Sequence, residues 1–470
     1  IDYSKGYARL KESLAGLETL GSNKESFEIV TLSYTNTQPN ILLMKHFLLS
    51  LLLSVGAISA TADSFLIDET EYNYDVLCKK EVGPGVTYVR LRIPDFPLNI
   101  NYMQVDLNNP YNQIETFQGQ DMVGRTEALA NVYDRMKAAG RKPLGGQNSN
   151  FWVVSTQAPY EDYCMGAPFG GSLKDGQIVT ETNCHSNWWN GGPTRTGSVG
   201  IDTDKKLWIG EMSWKGTVKS DKWTSPSEFF QVNKYCNYGN EMALFNSYYN
   251  KTKPFQTVET YQEDGQTRYR LVEGQNTEVY LDLTEGSKWA TNKDFTAVVK
   301  DVKKNASGGV LGDYDLCLTG TGDYKALLEQ LEVGDVVTLN YGWTLYDGNI
   351  TPNLTNLVSG NAVVMKNGEL TGRNYDESYN SMVYSRSAYG MSEDGKTLFM
   401  FVIDKSVDAT YGSSAGCTTS VMCQIMKQLG AWNVVNVDAG GSAQLMVQGS
   451  VVNRTTESYP RAVANGWMVY

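Results

Sequence analysis

The residues best suited to chemistry lie near the C-terminus. The run Asn433-Val434-Val435-Asn436-Val437 reads as a buried strand that ends on Asp438, followed by Ala439, Gly440, Gly441 and Ser442. A strand ending on a carboxylate delivers it to the end of a sheet, where ligand sites commonly open. Gly440 and Gly441 let the backbone turn tightly and approach a ligand with no Cβ in the way. Their amides and the Ser442 hydroxyl form a small anion-binding nest, or else Asp438 merely caps the following amides in a β-turn. A second apolar strand, "TLFMFVID", ends on Asp404. Arg386 begins its hairpin partner, and Arg461 begins the final strand. Two carboxylates can exchange protons with a substrate or stabilise an oxocarbenium-like centre. Two guanidiniums can grip phosphate oxygens bidentately. The set suits a substrate with both a glycosidic bond and a phosphate; the plain alternative is a pair of structural ion pairs at a sheet edge.

Composition narrows the choice. Of two histidines, His46 falls in a segment expected to be removed, which leaves His185. A Ser-His-Asp relay would have to use that residue, and a multi-histidine metal site is not available. The formal charge is −12, with no basic stripe to track phosphates, so nucleic acid is disfavoured as a partner. Seven cysteines with no CxxC pair make neither a disulfide framework nor a structural zinc site, and one or two bridges stay open.

The N-terminal part carries a targeting pattern. Residues 44–62, "MKHFLLSLLLSVGAISATA", have a short basic start, an apolar run and a small-residue end. That is the layout of a secretory signal peptide cleaved after Ala62, so the chain is expected to be secreted or periplasmic. The apolar run is too short to span a bilayer, and no stable membrane anchor is expected. Residues 1–43 read as an upstream extension outside the fold. Acidic and basic residues balance in 1–62, so the remainder keeps the charge of −12.

Beyond the signal, three portions are expected: an N-terminal α/β portion over 63–220, a strand-rich middle over 221–345, and a C-terminal part over 346–470 that completes the catalytic domain. "TYVRLRIPDFPLNINYMQVDL" alternates as two strands. "TEALANVYDRMKAAG" reads as an amphipathic helix with Thr126 as N-cap and Gly140 at its exit. "SSAGCTTSVMCQIMKQLGA" reads as a second, with Ser413 or Ser414 near its start, burying Val421, Met422, Ile425, Met426 and Leu429 and stopped by Gly430. Strand, helix and strand thus follow one another from Asp404 to Asp438. The expected class is α+β, or mixed α/β, with a large mixed sheet flanked by a few helices. At the start of the second helix, the Thr418-Thr419 pair either faces the site, because helix N-termini attract phosphate, or caps the first turn.

These residues resemble the phosphodiester glycosidase family. The likeness lies in "NVDAGGSAQLMVQGSVVNR" and "YPRAVANGWMVY", in "SRSAYGMSEDGKTLFMFVID", and more loosely in "GGQNSNFW", "NLVSGNAVVMKNGEL" and "DYDLCLTGTGDYKALLEQLEVGDVV". Ala439 replaces a usual glycine and Thr455 a usual proline; Ser385, Tyr389 and Lys405 also depart from the family's pattern. The resemblance implies hydrolysis of a sugar-1-phosphodiester, N-acetylglucosamine-1-phosphodiester-like, on a glycan or glycoconjugate. It implies Arg386, Asp404 and Asp438 as catalytic residues, with Asn150, Gly440, Gly441, Ser442, Arg461, Asn465 and Thr418 around the substrate. No cofactor is required on this reading; calcium or magnesium at the carboxylates stays open. Two alternatives stand beside it. One is a non-catalytic glycan-binding or envelope-polysaccharide assembly protein on the same scaffold. The other is a metal-dependent phosphodiesterase with Asp404 and Asp438 as ligands. Oligomeric state is not legible. Trp188 and Trp189 either stack on sugar rings or close a small apolar cluster, and His185 reads as a loop residue.

Overall fold

The computed structural model describes residues 63–154, 165–181, 196–306, 308–408, 410–457 and 459–470. The expected signal peptide, the upstream extension, His185, Trp188 and Trp189 lie outside the described residues.

Strand dominates the described residues, at 48% against 10% helix, with five short α-helices among them and a nearly closed, barrel-like sheet. The α+β expectation is therefore corrected to a β-dominated fold. An eight-stranded sheet runs in the order Glu369–Leu370, Ala362–Lys366, Asn433–Asn436, Arg386–Met391, Thr397–Ile403, Leu98–Asp106, Val86–Ile93, Asp75–Gly83. Each neighbouring pair in it is antiparallel. A five-stranded sheet built around Gly145–Asn148 and Asn465–Val469, and a twelve-stranded sheet drawn from the residues between them, complete the main layers. The strand–helix–strand unit misled because its two strands, Thr397–Ile403 and Asn433–Asn436, are not neighbours. Both pair antiparallel with Arg386–Met391, which lies between them.

The central strand shows how sequence makes this layering. "TLFMFVI" is apolar at nearly every position because both of its faces are covered. Phe399, Phe401 and Ile403 pack with Val421, Met422, Ile425 and Met426 of the helix Thr419–Gln428. Leu398, Met400 and Val402 face the other way, into a cluster with Val199, Ile209, Leu445 and Trp467 from the other two sheets. The turn at Gly395, with φ 72°, joins this strand to its hairpin partner as the spacing predicts.

Both helices start later than the sequence suggests: the second begins at Thr419, not near Ser413 or Ser414, because Ser414–Ala415 pairs as a short strand. Thr418 is the N-cap of Thr419–Gln428, its hydroxyl accepting the Val421 amide at 3.3 Å, and Gly430 with φ 104° follows the helix. The earlier helix begins at Leu129 with Ala128 as a cap that lends no side chain. Glu127 is drawn into a β-bridge with Val463, which delays the start beyond Thr126. Loss of the working cap is measurable. Thr418→Ala is expected to cost about 1 kcal/mol of stability in urea denaturation, and Thr418→Ser to keep most of it; equal losses in both would show that the hydroxyl does not cap.

Candidate active site

The turn after Val437 is built against three elements. The Asp438 amide donates to the Ser149 carbonyl at 2.8 Å, and Asn148 Nδ2 donates to the Asp438 carbonyl at 2.6 Å. The Ser385 hydroxyl donates to the Gly440 carbonyl at 2.9 Å. Gly440 takes φ 61°, a left-handed conformation that suits glycine. At Gly441 the reason is space: a Cβ there would lie 2.6 Å from the Arg461 guanidinium and 2.7 Å from Glu457.

Around Asp438 the groups are chemically mixed. The residue is partly exposed, yet crowding by protein atoms pushes its carboxyl up to about 7. The Ser442 hydroxyl, the Arg461 charge and the Ala439 amide oppose that rise. Arg461 reaches the Ser442 hydroxyl from Nη1 at 3.5 Å and holds both carboxylate oxygens of Glu457 with Nε and Nη2. Arg461 is thus ion-paired with Glu457 and acts on Asp438 through its charge, with the Ser442 hydroxyl between them. Tyr379 stands beside it. Burial raises its hydroxyl pKa, the Asp438 charge adds to the rise, and Arg386 and the Ala439 backbone oppose it. The Tyr379 ring stacks on Tyr384 with centroids 5.5 Å apart and meets the edge of Phe151 at 5.4 Å.

Asp404 leaves the same end of the sheet but enters a different environment. Ile403 pairs with Arg386, and Asn436 pairs with Ala388, so the two aspartates flank one strand, about 10 Å apart at the backbone. Strand alternation turns Asp404 to the Val402 side, where only 3% of it is exposed. There Oδ2 accepts the Arg454 amide at 3.2 Å, while Oδ1 is buried with no protein partner. Burial pushes this carboxyl up to about 7 against the Arg454 amide, Asn453 and Arg90, with Asp408 adding to the rise. The two carboxyls share none of these partners.

Arg386 is fully buried and holds backbone. Its Nε donates to the Cys417 carbonyl at 2.9 Å. Its Nη2 donates to the carbonyls of Tyr379 (2.9 Å), Asn380 (3.2 Å) and Met382. Asn150 and Asn465 are also buried and cross-link strands. The Asn150 amide donates to Asn465 Oδ1 at 2.9 Å, Asn150 Oδ1 accepts the Ser359 amide, and Asn465 Nδ2 reaches Ser172. The structure therefore brings together Asp438, Gly440, Gly441, Ser442 and Arg461 at one partly open turn. It places Asp404, Arg386, Asn150 and Asn465 in the walls behind, and Thr418 at a helix cap.

Glu457, Tyr379 and Tyr384 join the site without having been singled out from sequence. Glu457 stands four residues before Arg461, a spacing that suits an ion pair on a helical turn, and the tyrosines belong to the Tyr-rich "NYDESYNSMVYSR". Among the described residues no group of three or more His, Cys, Asp or Glu side chains converges as a metal-ligand cluster.

Residues 286–470 match the phosphodiester glycosidase family. That segment holds Arg386, Asp404, Asp438, Glu457, Arg461 and both tyrosines, whereas Asn148, Ser149, Asn150 and Phe151 precede it. Among solved structures, a Synechocystis protein is 16% identical with a TM-score of 0.54, the alignment covering 82% of this chain and 62% of that one. A Burkholderia pseudomallei protein is also 16% identical with a TM-score of 0.54, covering 79% of this chain and 74% of that one. Both share the fold; the chain spans just over three-fifths of the Synechocystis protein's length. The catalytic domain of zebrafish N-acetylglucosamine-1-phosphodiester alpha-N-acetylglucosaminidase is 12% identical, covering 86% and 89%, but its TM-score of 0.34 supports no comparison of sites. No curated protein matches the chain.

The sealed position of Asp404 has a thermodynamic signature. Its folded-state pKa of about 7 lies above the unfolded carboxyl value of roughly 4. Between those pH values the folded chain holds the extra proton, so stability falls as pH rises from about 4 to 7. Asp404→Asn removes that loss. The melting temperature of the variant relative to wild type is expected to climb between pH 5 and pH 8; a difference that stays constant with pH would contradict the buried, protonated carboxyl.

Proposed function

We propose that the chain hydrolyses the glycosidic bond of a sugar-1-phosphodiester, N-acetylglucosamine-1-phosphodiester-like, releasing free sugar and a phosphomonoester. The observation that carries this reading is the Asp438 carboxyl, raised to about 7, beside Ser442 and Arg461 in a glycine turn inside the family-matched segment. Phosphate oxygens sit against the Arg461 guanidinium, the Ser442 hydroxyl and the Gly441 amide, while the Gly440 amide is held by the Ser385 carbonyl. The sugar's C1 lies toward Asp438. As the C1–O bond breaks, Asp438 gives its proton to the bridging oxygen, which leaves with the phosphate. Glu457 takes a proton from the water whose oxygen bonds to C1, and the cation-like centre between them is stabilised by both acids. Asp404 and Arg386 act from behind, the first by packing the Arg454 hairpin and the second by holding the Tyr379 turn. No metal enters these steps. The basic start and apolar run of 44–62 support action outside the cytoplasm.

The test uses the methyl ester of N-acetylglucosamine-1-phosphate, with and without chelator, following free sugar and methyl phosphate. Asp438→Asn should lower kcat by about 10²-fold or more, and Arg461→Gln should raise KM more than it lowers kcat. Because the protonated form of Asp438 is the working one, wild-type kcat should fall as pH rises through about 7. Release of sugar-1-phosphate instead of free sugar, or near-normal turnover by Asp438→Asn, would rule the mechanism out.

A further inference from the structure

Beside the Asp438 turn lies a cleft that the catalytic reading does not use. It encloses about 220 Å³ at the start of the helix Thr419–Gln428 and is walled by Phe96, Pro97, Val383, Ala415, Cys417 and Val421. Its surface is almost wholly apolar. The one side-chain hydroxyl on its wall, that of Thr418, is committed to capping the helix. The wall continues outward over Val383, which is 46% exposed, and Met382, which is 51% exposed.

Two contacts tie this cleft to the site. Ser385 donates to the Gly440 carbonyl, and Val383 stands two residues earlier on the same segment, roughly 7 Å away along an extended chain. Between them Tyr384 carries the ring that stacks on Tyr379 beside Asp438. Lys405 crosses the same span: its Nζ donates to the Val383 carbonyl at 2.8 Å and lies 5.6 Å from the centre of the Tyr384 ring. Leading away from Asp438, a ligand therefore meets an anion-binding turn, then an exposed ammonium, then an apolar hollow. A sugar or glycerol alcohol would find no polar partner in that hollow. An alkyl chain would leave water there.

We infer that the cleft holds the aglycone, and that the substrate is a sugar-1-phosphodiester whose second alcohol carries an apolar chain. The inference rests on the phosphodiester reading of the Asp438 site and adds to it the class of leaving group. Lys405 meets the far side of the phosphate, and the first methylenes pass Val383 into the cleft. Each methylene moved out of water favours binding by about three- to fourfold, so discrimination grows with chain length until the cleft is full.

The methyl, butyl and octyl esters of N-acetylglucosamine-1-phosphate, each below its micelle concentration, test this with the full chain and with Val383→Gln and Ala415→Phe. The first variant makes the wall polar, and the second fills the hollow from an exposed position; circular dichroism checks that each folds. In wild type, kcat/KM should rise more than tenfold from methyl to octyl, and in both variants the octyl-to-methyl ratio should fall toward one. A flat wild-type series with the methyl ester still hydrolysed overturns the cleft assignment and leaves the Asp438 reading intact. A steep series retained in both variants also overturns the assignment. Hydrolysis of none of the esters overturns both.

Discussion

The site depends on the register of one strand. Arg386–Met391 pairs antiparallel with Thr397–Ile403 on one side and Asn433–Asn436 on the other. The outer two therefore run parallel to each other and release the chain at the same end of the sheet, as Asp404 and as the turn through Asp438. The helix Thr419–Gln428 spans the gap by packing its apolar face on Phe399, Phe401 and Ile403. Because side chains alternate at a period of two, a slip of one residue would exchange the faces of every group on a strand. "TLFMFVI" itself is apolar on both faces and would tolerate that slip; what opposes it is Asp404, whose carboxyl the slip would turn onto the face packed against Val421 and Met422. Register is what decides which aspartate reaches the open turn.

Arg386 converts that register into a wall. A buried guanidinium ordinarily demands a carboxylate, because an uncompensated charge in the interior is costly. Here the contacts are the carbonyls of Tyr379, Asn380, Met382 and Cys417, with the Tyr379 and Tyr384 rings 5.3 and 5.5 Å from the guanidinium carbon. Carbonyl dipoles and ring faces together supply the negative potential. The same contacts draw the 379–382 turn onto the sheet. Asn380 continues the hold: its Oδ1 accepts from Asn361 at 2.9 Å, and its Nδ2 donates to Glu377 at 2.8 Å. Asn436, on the strand that leads to Asp438, donates to Asn361 at 2.7 Å. The Tyr379 turn and the Asp438 strand are thus parts of one buried polar network, in which Arg386 Nη1 and Asn436 Oδ1 are left without a protein partner.

Much of this was legible beforehand, and the limits have physical causes. Apolar runs that end on aspartate announced both strand ends, and the 3.6-residue spacing of Val421, Met422, Ile425 and Met426 announced the helix between them. Neighbour order was not legible, because nothing local states that Arg386–Met391 inserts between the two strands, and the α+β expectation followed from that gap. Nor was face. Asp404 and Asp438 look alike in sequence, but alternation buries the first beside Val402, while a bend frees the second. Arg386, Asn150 and Asn465 carry polar atoms that a ligand or the protein could use equally well, and only contacts show that protein groups take all of them except Arg386 Nη1, which is buried without a partner. Glu457 escaped notice because its importance lies in pairing with Arg461 across Gly441, where the missing Cβ makes room.

The proposed catalysis requires a protonated Asp438 at neutral pH. Its carboxyl can be followed directly by ¹³C NMR in protein labelled at aspartate side chains, with Asp438→Asn used to assign the signal. A midpoint near pH 7, moving upward in Arg461→Gln as the favourable charge is lost, is the predicted result. A midpoint near 4, unmoved by that substitution, would mean that the turn holds an ordinary surface carboxylate and no proton donor.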